Sequence, residues 1–157
     1  MTSSLSNTEL STKVDQAAEA GEQFSKLYYE TTDKKRHLLQ KLYLDSATVV
    51  WNGNAVKGLE EIIKFYDTIP TSEHNLDSLD CQPLTDQISG GQMTICVKTL
   101  GTVKYDKAKP KIFHQNFILT SVNNHGLINF CTKSRRILSF SLSLGELRSF
   151  HQMYVAS

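Results

Sequence analysis

An acid, two phenols and an imidazole are the side chains of this sequence that could carry out proton transfer. Asp80 could act as a neutral or proton-shuttling carboxylate in an apolar pocket, with Tyr28, Tyr43 and His114 as further donors and acceptors. Such a set can move a proton at a carbon next to a carbonyl group. Residues 28–114 therefore contain the raw material of an isomerase or a dehydratase.

The spacing of these residues argues against a shared catalytic site. In a strand, successive side chains point to opposite faces. His114 alternates with Phe113 and Phe117, so it faces away from the interior that the two phenylalanines predict. Tyr28 and Tyr43 have the spacing of core residues. We therefore predict a protein without catalytic residues.

Metal and cofactor sites are not indicated either. No pair of His or Cys residues has the spacing typical of zinc ligands, and Gly90-Gly91 is a turn rather than a phosphate-binding loop. The histidines are scattered along the sequence: His37, His74, His114, His125 and His151. We expect neither a metal nor a cofactor.

The composition is that of an ordinary globular protein of 157 residues, with 39% hydrophobic residues and a net charge of +1. No run approaches the ~18 apolar residues of a membrane span, and the near-neutral charge lacks the basic footprint of nucleic-acid binding. The N-terminus does not have the pattern of a secretory signal. Cys81, Cys96 and Cys131 are odd in number and widely spaced, which fits a reducing compartment. We therefore predict a cytoplasmic or nuclear protein.

Three helices are predicted in the first part of the chain. The first has apolar residues at steps of three and four between Val14 and Tyr28, with a capping-box variant at Thr12 to Asp15. Asp33 is expected to cap a second helix whose inner face ends at Tyr43. Lys34-Lys35-Arg36 reads as a solvated face of that helix. The third helix has its apolar face between Leu59 and Ile69.

A hairpin and long strands complete the predicted elements. Asn52-Gly53 is a strong hairpin signal, because a type I′ turn needs a positive φ at both central residues. Trp51 beside it is read as a core-edge residue. The later strands span residues 73–82, 92–104 and 111–122, with Ile95 and Val97 on the inner face of one of them. Helices segregated to one side of an antiparallel sheet make an α+β fold.

Short strings in these elements resemble the nuclear transport factor 2-like family. Each string is short, but their shared order and spacing over about residues 13–121 make the match specific. They are Tyr28-Tyr29-Glu30-Thr31, Leu42-Tyr43-Leu44-Asp45, Trp51-Asn52-Gly53-Asn54-Ala55-Val56, Leu79-Asp80-Cys81-Gln82-Pro83, Gly101-Thr102-Val103-Lys104 and His114-Gln115-Asn116-Phe117-Ile118-Leu119-Thr120.

The resemblance implies a cone-shaped fold in which a curved antiparallel sheet wraps around three helices. Its export branch implies a non-enzymatic small subunit that forms a heterodimer with the related domain of an mRNA export receptor. That heterodimer would contact nucleoporins and shuttle between nucleus and cytoplasm through the nuclear pore. The wider family also suggests a homodimeric carrier of the GTPase Ran, and cone folds of this type can host enzymes.

In this family the partner packs on the sheet surface opposite the helices, here called the outer face. The alternation of side chains places seven residues of two adjacent strands on that face. They are Thr94, Cys96, Lys98, Leu100, His114, Asn116 and Ile118. Their mixed polarity is typical of protein interfaces, although an ordinary solvated sheet face would have the same pattern.

The resemblance stops after Asn123-Asn124. We therefore divide the chain into a flexible tail at 1–11, a domain at 12–122 and a divergent segment at 123–157. Two interpretations are open: a replaced C-terminus that leaves the sheet without its last strand, or a substitute strand. Leu138 to Leu144 alternates without interruption, which is a strand pattern. Leu127 to Cys131 is a weaker candidate.

Overall fold

A computed structural model of the protein describes residues 6–84, 94–121 and 135–144. Within these residues the elements are α1 (Asn7–Lys34), a 3-10 helix (Arg36–Lys41), β1 (Tyr43–Trp51), β2 (Asn54–Lys57), α2 (Leu59–Asp67), β3 (Ser72–Pro83), β4 (Thr94–Tyr105), β5 (Lys111–Ser121) and β6 (Arg135–Leu144). The predictions that concern residues 1–5, 85–93, 122–134 and 145–157 lie outside the described residues, including those on Gly90-Gly91, His125, Cys131 and His151. In the described part of the chain, no helix combines the length and the apolar character that crossing a bilayer requires.

The described strands form one six-stranded sheet in the order β2-β1-β6-β5-β4-β3. β6 pairs antiparallel with β5 and parallel with β1, so the sheet is mixed rather than purely antiparallel. The alternating sequence between Leu138 and Leu144 falls within β6. This strand joins the β1–β2 hairpin to the three long strands, and therefore the backbone pairing continues across the whole sheet.

α1 begins earlier than the sequence pattern suggests. Its N-cap is Ser6, whose hydroxyl accepts from the backbone N–H of Glu9 at 3.3 Å while the Glu9 carboxylate accepts from the backbone N–H of Ser6 at 2.9 Å. This is a complete capping box. The capping box predicted at Thr12 is therefore wrong, and residues 7–11 are helical rather than part of the tail predicted for residues 1–11.

The predicted second helix is also wrong. α1 continues through Asp33 to Lys34, and only a 3-10 helix follows at Arg36–Lys41 before Tyr43 enters β1. Arg36 is not part of a solvated face, because its guanidinium donates to the carbonyl oxygens of Thr32, Ile69 and Pro70. It thereby satisfies one carbonyl group in the last turn of α1 and two in the segment that follows α2.

The core fills the space between the helices and the concave side of the sheet. Phe24 and Phe117 are fully buried with their ring centroids 5.1 Å apart. The predicted hairpin is confirmed: Asn52 and Gly53 have φ values of 47° and 83°, and Trp51 pairs with Asn54 across the turn. Trp51 is 5% exposed and packs edge-on against Phe65, as a core-edge residue.

Candidate partner-binding face

The residues predicted for the outer face form a continuous ladder across β4 and β5. Cys96 lies opposite Ile118, Lys98 opposite Asn116, and Leu100 opposite His114. Directly opposed side chains on one face of a sheet are within contact distance. The structure therefore brings six of the seven predicted residues together in three adjacent rows, and Thr94 follows opposite Thr120.

The exposure of these residues differs along the ladder. Lys98, His114 and Asn116 are exposed, whereas Cys96, Leu100 and Ile118 are half-buried. Thr94 is only 6% exposed, and its hydroxyl donates to the Thr120 hydroxyl at 3.4 Å. The accessible part of the outer face is thus centred on the rows from Cys96 to Leu100.

The sequence analysis missed Ile112, which extends the same face by one row. Ile112 lies opposite Thr102. It is two residues from His114 in the same strand and therefore points to the same face of the sheet. It is 57% exposed, the highest value among the large hydrophobic side chains of the described residues. The alternation that identified His114, Asn116 and Ile118 could have found it, because it is the next residue of that period-two series.

β3 and β6 flank this ladder. Asp80 lies opposite Lys98 and is exposed, so a carboxylate borders the central cation. On the other side, Ser141 pairs with Asn116 and Ser143 with His114. The outer face is therefore broad and of mixed polarity, as expected for a surface that binds another protein.

A buried polar network supports the ladder from the helix side. The Tyr29 hydroxyl contacts the Thr99 hydroxyl at 2.7 Å and donates to the side-chain oxygen of Gln115. Gln115 is 2% exposed and lies between the two exposed residues His114 and Asn116. Burial raises the pKa of Tyr29 well above its ordinary value, so the phenol stays protonated and can donate. This network fixes β5 against α1.

The residues considered for proton transfer do not share a site. Asp80 and His114 are on the exposed side of the sheet, whereas Tyr28 and Tyr43 are fully buried on the other side. The hydroxyls of both tyrosines contact the Tyr66 hydroxyl, at 2.6 Å and 2.9 Å. Burial raises the pKa of all three phenols. The interior is thus occupied by its own hydrogen-bonded phenols.

One small cavity lies beside those phenols among the described residues. The cavity next to Tyr28 and Tyr66 measures ≈ 10 Å³, about the minimum for one water molecule. Among residues 6–84, 94–121 and 135–144, His, Cys, Asp and Glu side chains form no group of three that could hold a metal ion. Cys81 and Cys96 are free thiols in the described chain, and burial raises the pKa of Cys81 to about 11.

A second polar cluster fastens the start of β3 to the end of α1. The Asp33 carboxylate accepts from the Ser72 hydroxyl at 2.7 Å, from the backbone N–H of His74 at 2.9 Å, and contacts His74 Nδ1 at 2.6 Å. The His74 side chain is 5% exposed. Burial raises the pKa of Asp33, but the hydrogen bonds from His74 and Ser72 outweigh it and hold the pKa below its ordinary value.

This cluster predicts a pH dependence of stability. A carboxyl group whose pKa is depressed by folding stabilises the fold above its unfolded pKa, and the contribution is lost as pH falls through the folded pKa. We expect Asp33→Asn to lower the free energy of unfolding by about 1–2 kcal/mol at pH 7 and by less at pH 2–3. Urea titrations at both pH values measure the difference. The exposed Asp67→Asn serves as control, and an equal loss for Asp33→Asn at both pH values would contradict the prediction.

Comparisons with known proteins agree on the fold. A model of the nuclear transport factor 2 domain matches residues 20–131. NTF2-related export protein 2 of Homo sapiens is 51% identical to this chain over 113 residues, which cover 72% of this chain and 80% of that protein.

Solved structures are similar at lower identity. Nuclear transport factor 2 from Cryptosporidium parvum superposes with a TM-score of 0.68 at 23% identity, covering 83% of this chain and 95% of that one. A chain of the C. albicans Mtr2–Mex67 M domain complex gives a TM-score of 0.65 at 13% identity, covering 85% and 98% respectively. These matches confirm the predicted α+β cone.

Proposed function

The chain belongs to the nuclear transport factor 2 domain family, and we propose that it is a non-enzymatic nuclear export factor that works as one subunit of a heterodimer. The observation that carries the proposal is the 51% identity to NTF2-related export protein 2 over most of both chains. That relative is named for export rather than for a reaction. A shared fold alone would not support this step, because the same fold can serve unrelated functions.

The outer face is the surface proposed to bind the partner. Its residues run in continuous rows from Ile112 to Ile118 on β5, where exposed His114 and Asn116 lie between exposed Ile112 and half-buried Ile118. The similar C. albicans structure is described as a complex of Mtr2 with the Mex67 M domain. We infer that the partner of this chain is likewise a related domain of an export receptor.

The proposed cargo and route follow from that partner. The heterodimer would support export of mRNA, and would contact nucleoporins through its large subunit while shuttling between nucleus and cytoplasm. The elements from α1 to β5 would form the nuclear transport factor 2-like domain, and the divergent segment at 123–157 would supply β6 next to the binding face. A homodimeric carrier of Ran is the alternative suggested by the wider family.

Co-purification tests the proposal directly. The full-length chain, tagged, is co-expressed with the related domain of an mRNA export receptor, and NTF2-related export protein 2 is run in parallel. We expect a 1:1 complex by sedimentation. If the parallel protein forms a complex and this chain does not, the heterodimer proposal is wrong. A homodimer that sediments unchanged in the presence of the receptor domain would favour the Ran-carrier alternative.

A further inference from the structure

A groove opens between α1 and β3, on the helix side of the sheet and away from the outer face. It has a volume of ≈ 470 Å³, which is within the range of sites that bind small molecules or peptide side chains. Both elements line it, with Glu22, Lys26, Tyr29, Leu76, Asp77 and Leu79 among its residues. The heterodimer proposal does not use this surface.

A β-bulge in β3 provides the apolar part of the groove. Leu76 pairs with Gly101, but the next paired residue is Ser78 with Leu100, so Asp77 is an extra residue in β3. The extra residue puts Leu76 and Leu79 on the same side of the strand. Leu79 packs against the core, whereas Leu76 remains 36% exposed. An apolar side chain is thus accessible at the wall of the groove.

The same strand lies at the edge of the described sheet, where the backbone N–H of His74 is already used by Asp33. β3 is the last strand in the described sheet, so one row of its backbone N–H and C=O groups faces away from β4. Such an edge can accept an extended peptide as an additional strand, with main-chain hydrogen bonds giving affinity and side-chain pockets giving specificity. Here the groove beside Leu76 would be the side-chain pocket.

The charges around the groove indicate which kind of peptide segment it can bind. Asp77 of β3 and Glu22 of α1 place two carboxylates in the lining, which has Lys26 as its single cation among the described residues. β3 itself carries no Lys or Arg. A second copy of β3 at this edge would place like charges opposite each other, which is unfavourable. Lysine or arginine side chains on an added strand would instead be attracted.

We propose that the α1–β3 groove binds an extended segment of a partner protein in which an apolar side chain is flanked by lysine or arginine. The apolar side chain enters between Leu76 and Leu79. Lysine or arginine side chains two residues away on either side share its face of the added strand and face Asp77 and Glu22. Acidic residues and a bulge also protect an edge strand from aggregation. Protection alone, however, requires neither a groove of ≈ 470 Å³ nor an exposed leucine within it.

Fluorescence anisotropy with the full-length chain tests this proposal. The probes are a labelled peptide that repeats lysine-threonine-leucine-threonine, in which lysine and leucine share one face of a strand, and its counterpart with glutamate in place of lysine. We expect saturable binding of the lysine peptide and binding of the glutamate peptide that is at least about tenfold weaker. Leu76→Lys and Asp77→Lys are each expected to weaken the lysine peptide about tenfold.

Ile112→Lys, on the outer face, is the matched control because it adds the same charge as Leu76→Lys, and it is expected to leave peptide affinity unchanged. Because this control separates the two surfaces, loss of heterodimer formation and loss of peptide binding are distinguishable. Equal affinity for the two peptides overturns the proposal, as does peptide binding that neither groove variant weakens. If Leu76→Lys instead changes the sedimentation of the chain alone, the occupant is a second copy, which also overturns it.

Discussion

Replacement of Gly101 by alanine is expected to destabilise the fold by about 3 kcal/mol or more. A Cβ at this position would overlap the backbone oxygen of Asn75 and lie 3.0 Å from Cε1 of Phe113. The first contact is with backbone, which cannot rotate away as a side-chain terminus can. To remove this overlap, β3 and β4 would have to move apart beside the bulge, where Leu76 pairs with Gly101.

Thermal and urea unfolding measure this effect. We expect a fall in melting temperature of roughly 10 °C, since 1 kcal/mol corresponds to about 2–4 °C in a chain of this size. Gly53→Ala is the matched control: its φ is +83°, and no heavy atom lies within 4 Å of its added Cβ. We expect this control to lower the free energy of unfolding by only about 1–2 kcal/mol, which is the cost of placing alanine in the left-handed backbone conformation. If the two variants lose equal stability, close approach at Gly101 is not the cause.

The sequence could predict those features whose cause is local. Asn52-Gly53 forms the expected turn because the requirement for positive φ lies in those two residues themselves. The two faces of β4 and β5 follow from strict alternation: Ile95, Val97, Phe113 and Phe117 are fully buried, and Lys98 is exposed. The same alternation is sufficient to predict that the candidate interface residues share one surface.

Features that depend on distant contacts could not be predicted. Asp33 has the composition of a helix cap, but its carboxylate is used by Ser72 and His74, about forty residues later in the chain. Arg36 belongs to a basic run, yet it contacts carbonyl oxygens of Ile69 and Pro70. The apolar residues of the 3-10 helix recur at the spacing typical of an α-helix. The helix nevertheless ends at Lys41, because the chain enters β1 at Tyr43.

The bulge in β3 shows how such a feature alters a surface. The mixed pattern of residues 72–83 does not mark Asp77 as an extra residue, because a bulge is defined by its pairing with β4. Its consequence is that Leu76 and Leu79 share a face although they are three residues apart. Simple alternation would have placed them on opposite faces, and the α1–β3 groove would have been missed.

Ile112→Asp is expected to weaken binding of the export receptor domain by about a hundredfold. The proposed interface would enclose this side chain, and a carboxylate buried without a partner costs several kcal/mol. The free chain should tolerate the change, because Ile112 is 57% exposed and contributes little to the core. We therefore expect less than about 0.5 kcal/mol of change in unfolding free energy. Calorimetric titration with the receptor domain and urea unfolding of the free chain measure the two quantities.

Leu10→Asp is the control for this prediction. Leu10 is 49% exposed on the first turns of α1, so the substitution introduces the same charge at a similarly exposed apolar position outside the proposed interface. It should leave affinity for the receptor domain unchanged, and Ile112→Val should preserve most of it because the apolar contact remains. A hundredfold loss in Ile112→Asp but not in Leu10→Asp would locate the partner on the outer face. Equal affinity in both aspartate variants would mean that the interface does not include the row of Ile112.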